Sequence, residues 1–269
     1  MKNSALLEVK PGHKVRLRDV PTDSTHGYSS KDDSLNDLEK LRKRLISLQE
    51  TLYAERKQSV LVVFQAMDTG GKDGAVKSIL SGVNPAGVQI TGFKAPSAEE
   101  LEHDFLWRIH PKTPPRGIIG VWNRSHYEDV LIVRVHKMID KKTCQRRYED
   151  INAFERILND SGVTVLKFFL HISKDEQKQR LQARLDDPEK TWKFNPNDLK
   201  ERVLWDDYQA AYEDAINACS TDFAPWNVVS ADHNWARNIA VAQKLVDTLE
   251  SLDPQFPKPT FDPKTIHID

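Results

Sequence analysis

The chain has 269 residues, a formal net charge of -1, 29% charged and 39% hydrophobic residues, as expected of a soluble globular protein of one large α/β domain or two small ones. The near-zero charge gives no global basic field for nucleic acid or an anionic membrane, so a polyanionic partner must be met by a local basic channel. No apolar run is long enough to span a bilayer, the first ten residues lack a signal-peptide core, and Cys144 and Cys219 have no metal spacing, which together read as a cytoplasmic protein with reduced structural thiols.

Residues 1–33 are polar and interrupted by Pro11, Gly12, Pro21 and Gly27, and read as an extended N-terminal arm packing on the body. Leu35, Leu38, Leu41, Leu45, Leu48 and Leu52 recur at steps of three and four. They predict a long amphipathic helix ending before Gln58, its apolar face serving the core or a dimer contact. Apolar runs at 60–66, 88–93, 118–122, 163–172 and 227–230 predict strands with helical segments between them. Ser97-Ala-Glu-Glu100 and Ser173-Lys-Asp-Glu176 fit capping boxes, and Gly162 closes a helix over roughly 140–160. This alternation argues for an α/β fold whose parallel sheet is covered on both faces, with chemistry at the carboxyl ends of the strands. One catalytic domain is expected over 34–253, with a lid at about 174–204. A tail over 254–269, carrying Pro254, Pro257, Pro259 and Pro263, should be extended and reach over a neighbour or its own body.

The strand at 60–66 runs into Ala66-Met-Asp-Thr-Gly-Gly-Lys-Asp-Gly74 and then a helical segment, the layout of a phosphate-binding P-loop. Backbone N–H groups of Thr69, Gly70, Gly71, Asp73 and Gly74 would face an anion at the helix N-terminus, with Lys72 as a point charge on phosphate oxygens. The loop departs from the usual pattern: Ala66 replaces the first glycine and Asp73 the Mg²⁺-reaching hydroxyl. Asp68 and Asp73 flank the lysine, and a carboxylate beside bound phosphate makes sense when a divalent cation lies between them. The plain alternative is an ordinary strand-to-helix turn with a solvated lysine.

Beyond the third predicted strand stands Trp122-Asn-Arg-Ser-His-Tyr-Glu-Asp129. Glu128 and Asp129 suit Mg²⁺, directly or through water, and Arg124 suits the charge on a transferring phosphoryl group. The same residues also read as a capped helix start, with Asn123 or Ser125 as N-cap. Arg134, further along, suits an ion pair or a ligand, and His126 a structural or substrate-shaping place. Arg180 and Arg184 are four apart on one helix face, with Lys190 and Lys193 beyond Pro188. That pattern fits either a solvated face or a helical lid delivering cations to phosphates. Trp205, Tyr208 and Tyr212 recur at helical spacing and read as core.

Together these segments, with Gln179–Pro188, Trp192-Lys193, Trp205-Asp-Asp-Tyr208 and Ala224-Pro-Trp226, resemble the polyphosphate kinase 2 family of polyphosphate:nucleotide phosphotransferases. The resemblance implies a P-loop kinase-like three-layer core similar to thymidylate kinase, with a helical lid. It implies Mg²⁺-dependent phosphoryl transfer between inorganic polyphosphate and adenine nucleotides, Mn²⁺ and guanine nucleotides being alternatives, and a homo-oligomer, dimer or tetramer. Under it, Asp68, Lys72, Arg124, Arg180 and Arg184 take catalytic roles. Thr69, Gly70, Gly71, Asp73, Gly74, Asn123, Arg134 and Lys193 contact phosphate or substrate, and Asp68 and Glu128 hold the metal. Asn123-Arg-Ser-His-Tyr-Glu-Asp129 resembles the branch that phosphorylates AMP as well as ADP, reaching ATP. An ATP-dependent nucleoside monophosphate kinase, or a non-catalytic nucleotide- or polyphosphate-binding regulator, are the competing readings. Asp73 in the hydroxyl position counts against the first, and the retained cations against the second.

Overall fold

A computed structural model describes residues 4–268 of the chain. Helix α1, Lys31–Glu55, is opened by Ser30, whose hydroxyl accepts from the Asp33 N–H, and closed by Arg56 in the left-handed region at φ 55°. It buries Leu38, Leu45, Leu48 and Leu52 against the last helix, α9 (Asn234–Leu252), while Leu35, at the start of the predicted stripe, stays exposed. The apolar face therefore belongs to the core.

Among the described residues, six strands form one sheet: β1 Leu6–Val9, β2 Ser59–Ala66, β3 Val88–Gly92, β4 Ile119–Asn123, β5 Val163–His171 and β6 Trp226–Ser230. The order is β1-β6-β5-β2-β4-β3, and every pair is parallel except β1 with β6. Strand β2 is buried along its whole length, as a central strand covered on both faces must be. Val60, Val62 and Phe64 point into the larger core cluster, and Leu61 and Val63 into the smaller one with Trp122 and Phe154. The remaining helices are α2 Lys72–Ile79, α3 Ala98–Leu101, α4 Ile132–Val135, α5 Lys141–Asp160, α6 Lys174–Asp186, α7 Asn197–Val203 and α8 Trp205–Cys219.

The five strands expected from the apolar runs are present within one or two residues of their expected ends. Strand β1, inside the region read as an arm, lies outside the sequence expectation: Leu-Leu-Glu-Val has no alternation over a useful length, and its partner β6 lies some 220 residues away. Beyond β1 the arm runs across α8 and the ends of β5 and β6. The Val15 and Leu17 N–H groups donate to Asn217 and Glu213, Ser230 Oγ donates to Pro21 O, and Thr22 Oγ1 donates to Asp232. Ser97 and Glu100 form the complete capping box. Ser173 caps α6, but Glu176 does not return the bond: the Ser173 N–H donates to Asp232 Oδ1 at 2.8 Å, and the Glu176 carboxylate accepts from Arg180 Nε at 2.6 Å. In the tail, Phe256, Phe261 and Ile266 are exposed.

Candidate active site

All five parallel strands end on one side, and β2 sits where the connections diverge, toward β3 on one hand and β6 on the other. A crevice outside the carboxyl ends at such a switch point is where ligands bind in open α/β sheets. The loop leaving β2 turns sharply. Gly70 N–H donates to Met67 O at 2.9 Å, Thr69 has φ 60° and Gly71 φ 91° before α2 begins. A Cβ on Gly70 would lie 2.5 Å from Ala66 Cβ, and one on Gly71 only 2.0 Å from Arg237 Nη1. Gly71→Ala is therefore expected to cost at least about 1–2 kcal/mol from the left-handed backbone alone, plus the displacement of Arg237. Urea unfolding measures it, and a variant within about 0.5 kcal/mol of wild type, the range of an ordinary surface change, would refute the geometry.

Lys72 Nζ donates back to Ala66 O at 3.1 Å. Burial, reinforced by Arg124, pushes its ammonium below the ordinary lysine range, with Asp68, Glu128 and Asp73 opposing. Arg124, also left-handed at φ 65°, follows β4, and its Nη2 donates to Asp68 Oδ1 at 3.0 Å. Non-glycine residues at positive φ on both sides of the cleft mark backbone held in place by its surroundings. Asn123 Nδ2 donates to Asp73, tying the two loops together. From α6, Arg180 Nη1 donates to Thr69 O at 3.1 Å and Nη2 to Ala231 O at 2.6 Å, and Gln177 donates to Asp68 O. Arg184 donates to Lys193 O and faces Asp198 at 3.5 Å.

The cleft between these elements has a volume of about 930 Å³ and is lined by eight cationic side chains and four carboxylates. A chain of net charge -1 thus carries the local basic channel that a polyanion needs. Asp68, Thr69, Gly71, Lys72, Asp73, Gly74, Asn123, Arg124, Arg180, Arg184 and Lys193 all line it. Three of the expected residues do not. Gly70 lies beneath the turn. Glu128 sits behind Lys72 and Arg124 beside Gln65, and burial raises its carboxyl above the ordinary range against the pull of those two cations. Arg134 is turned away, its Nη2 donating to Asp214 at 2.6 Å and Nη1 to the Tyr148 hydroxyl at 3.1 Å, so the ion-pair reading describes it. Asp129 likewise faces Arg108 and Arg147 at 3.7 and 3.8 Å rather than the cleft.

Behind Arg124 the segment 125–130 is anchored by a buried polar cluster. Glu155 accepts from Lys167 Nζ at 2.6 Å and from the Tyr127 hydroxyl at 2.9 Å, and His126 Nε2 lies 3.2 Å away. Lys167 also donates to Tyr127 and to Cys219 O. Burial alone would raise the Glu155 carboxyl, but Lys167 and His126 outweigh it and hold it below the usual range. His126 is fully buried here, which makes it structural.

Outside the segment expected to form the lid, six lining residues stand outside the sequence expectation: Gly92, Phe93 and Lys94 at the end of β3 and, from the turn opening α9, Asn234, Arg237 and Asn238. Arg237 had a legible signal. An arginine in the opening turns of a helix opposes the helix dipole, and this one directly follows a strand.

A Gly-rich turn with its lysine at the end of the central strand, a cation-lined cleft and a helical segment over it define a P-loop kinase-like α/β protein. The sequence model of polyphosphate kinase 2 (PPK2) matches residues 28–257, and the chain belongs to that family. The AMP/ADP-polyphosphate phosphotransferase of Meiothermus ruber is 52% identical over 252 residues, covering 93% of this chain and 94% of its own. The ADP-polyphosphate phosphotransferase of Rhodopseudomonas palustris is 46% identical over 266 residues, covering 94% and 92%. The crystal structure of polyphosphate kinase 2 from Arthrobacter aurescens superposes with a TM-score of 0.91 at 48% identity, covering 95% of this chain and 92% of that one.

Proposed function

We propose that the protein transfers the terminal phosphoryl group between inorganic polyphosphate and adenine nucleotides, phosphorylating AMP to ADP and ADP to ATP. The observation that carries this is the cleft itself: a P-loop with a carboxylate where the hydroxyl normally stands, inside a strongly cationic channel. The relative from Meiothermus ruber, named for AMP and ADP, matches nearly end to end and supports both acceptors. Guanine nucleotides are further acceptors to test.

The chemistry asks little of covalent catalysis. A terminal phosphate oxygen of the acceptor is already anionic, so no strong general base is needed, and positioning with charge neutralisation carries the rate. In this reading the turn over 69–74 and Lys72 hold phosphate oxygens, and Arg124 neutralises the transferring group from the β4 side. Arg180 and Arg184 do so from the lid, 174–204, whose closure also excludes water. Lys193, with Trp192 under its ammonium at 5.0 Å, extends the channel. In this reading one catalytic domain spans 34–253, with the arm adding the edge strand β1 to its sheet.

Among the described residues no three His, Cys, Asp or Glu side chains gather as a preformed metal cage. Mg²⁺ does not require one, since it typically takes one or two carboxylates with phosphate oxygens and water. Asp68 fits as the cleft carboxylate, with Glu128 behind it completing the charge or acting through water. Mg²⁺, or Mn²⁺ in its place, would neutralise phosphate charge there when bound. A cytoplasmic homo-oligomer, dimer or tetramer, completes the reading, and no helix of the described residues is long and apolar enough to cross a membrane.

The test mixes purified protein with Mg²⁺ and polyphosphate, adds AMP or ADP in separate tubes, and separates the nucleotides by chromatography. ADP and then ATP from AMP, only with polyphosphate present, is the expected result. Transfer only when ATP is the donor would make the protein an ordinary nucleoside monophosphate kinase, and no transfer from either donor would leave a binding regulator.

A further inference from the structure

Three cationic side chains are buried among the described residues: Arg108, Lys167 and Arg237. Lys167 contacts Glu155, and Arg108 faces Glu100 and Asp129. Arg237, only 2% exposed, has no such partner among the described residues. Its hydrogen bonds go to neutral amide oxygens, Asn234 Oδ1 at 2.8 Å and Asn238 Oδ1 at 2.8 and 3.1 Å. Burial and the neighbouring Arg180 depress its pKa to about 9. A buried charge without a counter-charge is costly, so a side chain kept in this state needs an anion that is absent from the folded chain itself.

The surroundings indicate where that anion binds. The guanidinium lies against the inner side of the P-loop turn: Cβ atoms added to Gly71 and Gly74 would stand 2.0 and 3.2 Å from its nitrogens. It also lines the cleft. A structural clamp on the loop would donate to loop carbonyls, and it is Arg180, not Arg237, that does so through Thr69 O. We infer that Arg237, oriented by Asn234 and Asn238 and paired with Arg180, forms an anion subsite beneath the P-loop that takes a phosphate group of the polyphosphate or of the nucleotide. This deepens the functional reading above and rests on it for the choice of phosphate as the anion. The planar fork suits two oxygens of one phosphate.

The test uses Arg237→Met in the full chain, titrated calorimetrically with inorganic tripolyphosphate and, separately, ADP, alongside thermal unfolding without ligand. Loss of a charge-assisted contact is expected to weaken binding of one ligand about 10- to 100-fold, and the ligand that suffers names the source of the phosphate. Weakening of both places the subsite at the transferring group. The unliganded variant should melt no lower than wild type, because an uncompensated buried charge has gone. A lower unliganded melting temperature makes Arg237 structural and overturns the inference whatever the affinities, as does unchanged affinity for both ligands. Arg237→Lys keeps the charge without the fork and should weaken binding less than Arg237→Met. If the methionine variant cannot be recovered, unchanged affinity in the lysine variant overturns the inference and reduced affinity supports it. Wild-type protein that binds tripolyphosphate but forms no nucleotide product would sink the functional reading and leave the subsite standing.

Discussion

Lys72→Ala and Arg124→Ala are each expected to lower turnover about 10²–10³-fold, the usual loss when one charge-stabilising donor leaves a transferring centre. Both side chains line the cleft from opposite loops, and Asp68 lies between them. The fold should survive both changes. Lys72 is held in a site that disfavours its charge, and its one protein acceptor is Ala66 O. At Arg124 the left-handed backbone carries the same Cβ penalty with alanine as with arginine, so that substitution adds no strain. Arg124→Gly relieves the strain and still removes the guanidinium. If the guanidinium matters, the alanine and glycine variants should be equally impaired. Steady-state rates with polyphosphate and ADP, beside circular dichroism melting, decide the matter, and near-normal turnover in either alanine variant would remove that residue from the proposed site.

Glu155→Gln should be the most destabilising polar substitution in the molecule, costing about 3–5 kcal/mol, because it leaves the Lys167 ammonium buried without its counter-charge. At roughly 2–4 °C per kcal/mol for a chain of this size, the melting temperature would fall by about 6–20 °C. The pH dependence has a definite sign. The Glu155 carboxyl is held below its ordinary value in the folded protein. Its contribution is therefore present above the unfolded carboxylate pKa and is lost as the pH falls through the folded one. Wild type should lose stability toward acid more steeply than the glutamine variant. A double replacement of Glu155 and Lys167 by methionine should recover most of the loss, since a buried pair is worth little against well-packed apolar groups. Urea unfolding at two pH values measures all of this, and a single variant within about 1 kcal/mol of wild type would mean that the pair is not the anchor it is taken to be. Because Tyr127 and His126 both meet Glu155, loosening this cluster should also lower activity through Arg124.

The elements were legible where the signal is local. The apolar runs, the leucine stripe, the Ser97 capping box and the Gly-rich turn before Lys72 each carry their physics within a few residues. A further local signal is the lone lysine inside the apolar run 163–172, which implies a buried partner, and that partner is Glu155 on the preceding helix. The class of fold, the phosphate loop and most of the cations around it are legible in the chain, because periodicity, turn chemistry and the order of strands and helices are local properties. Tertiary packing selects which charges face the cleft. It turns Arg134 to Asp214, places Glu128 behind Lys72, pairs β1 with a strand from the far end of the chain, and brings Arg237 under Gly71. The reason is the strand order: side-by-side parallel strands gather the loops after β2, β4, β5 and β6 at one edge, so residues some 170 positions apart become neighbours through pairings that no local pattern encodes.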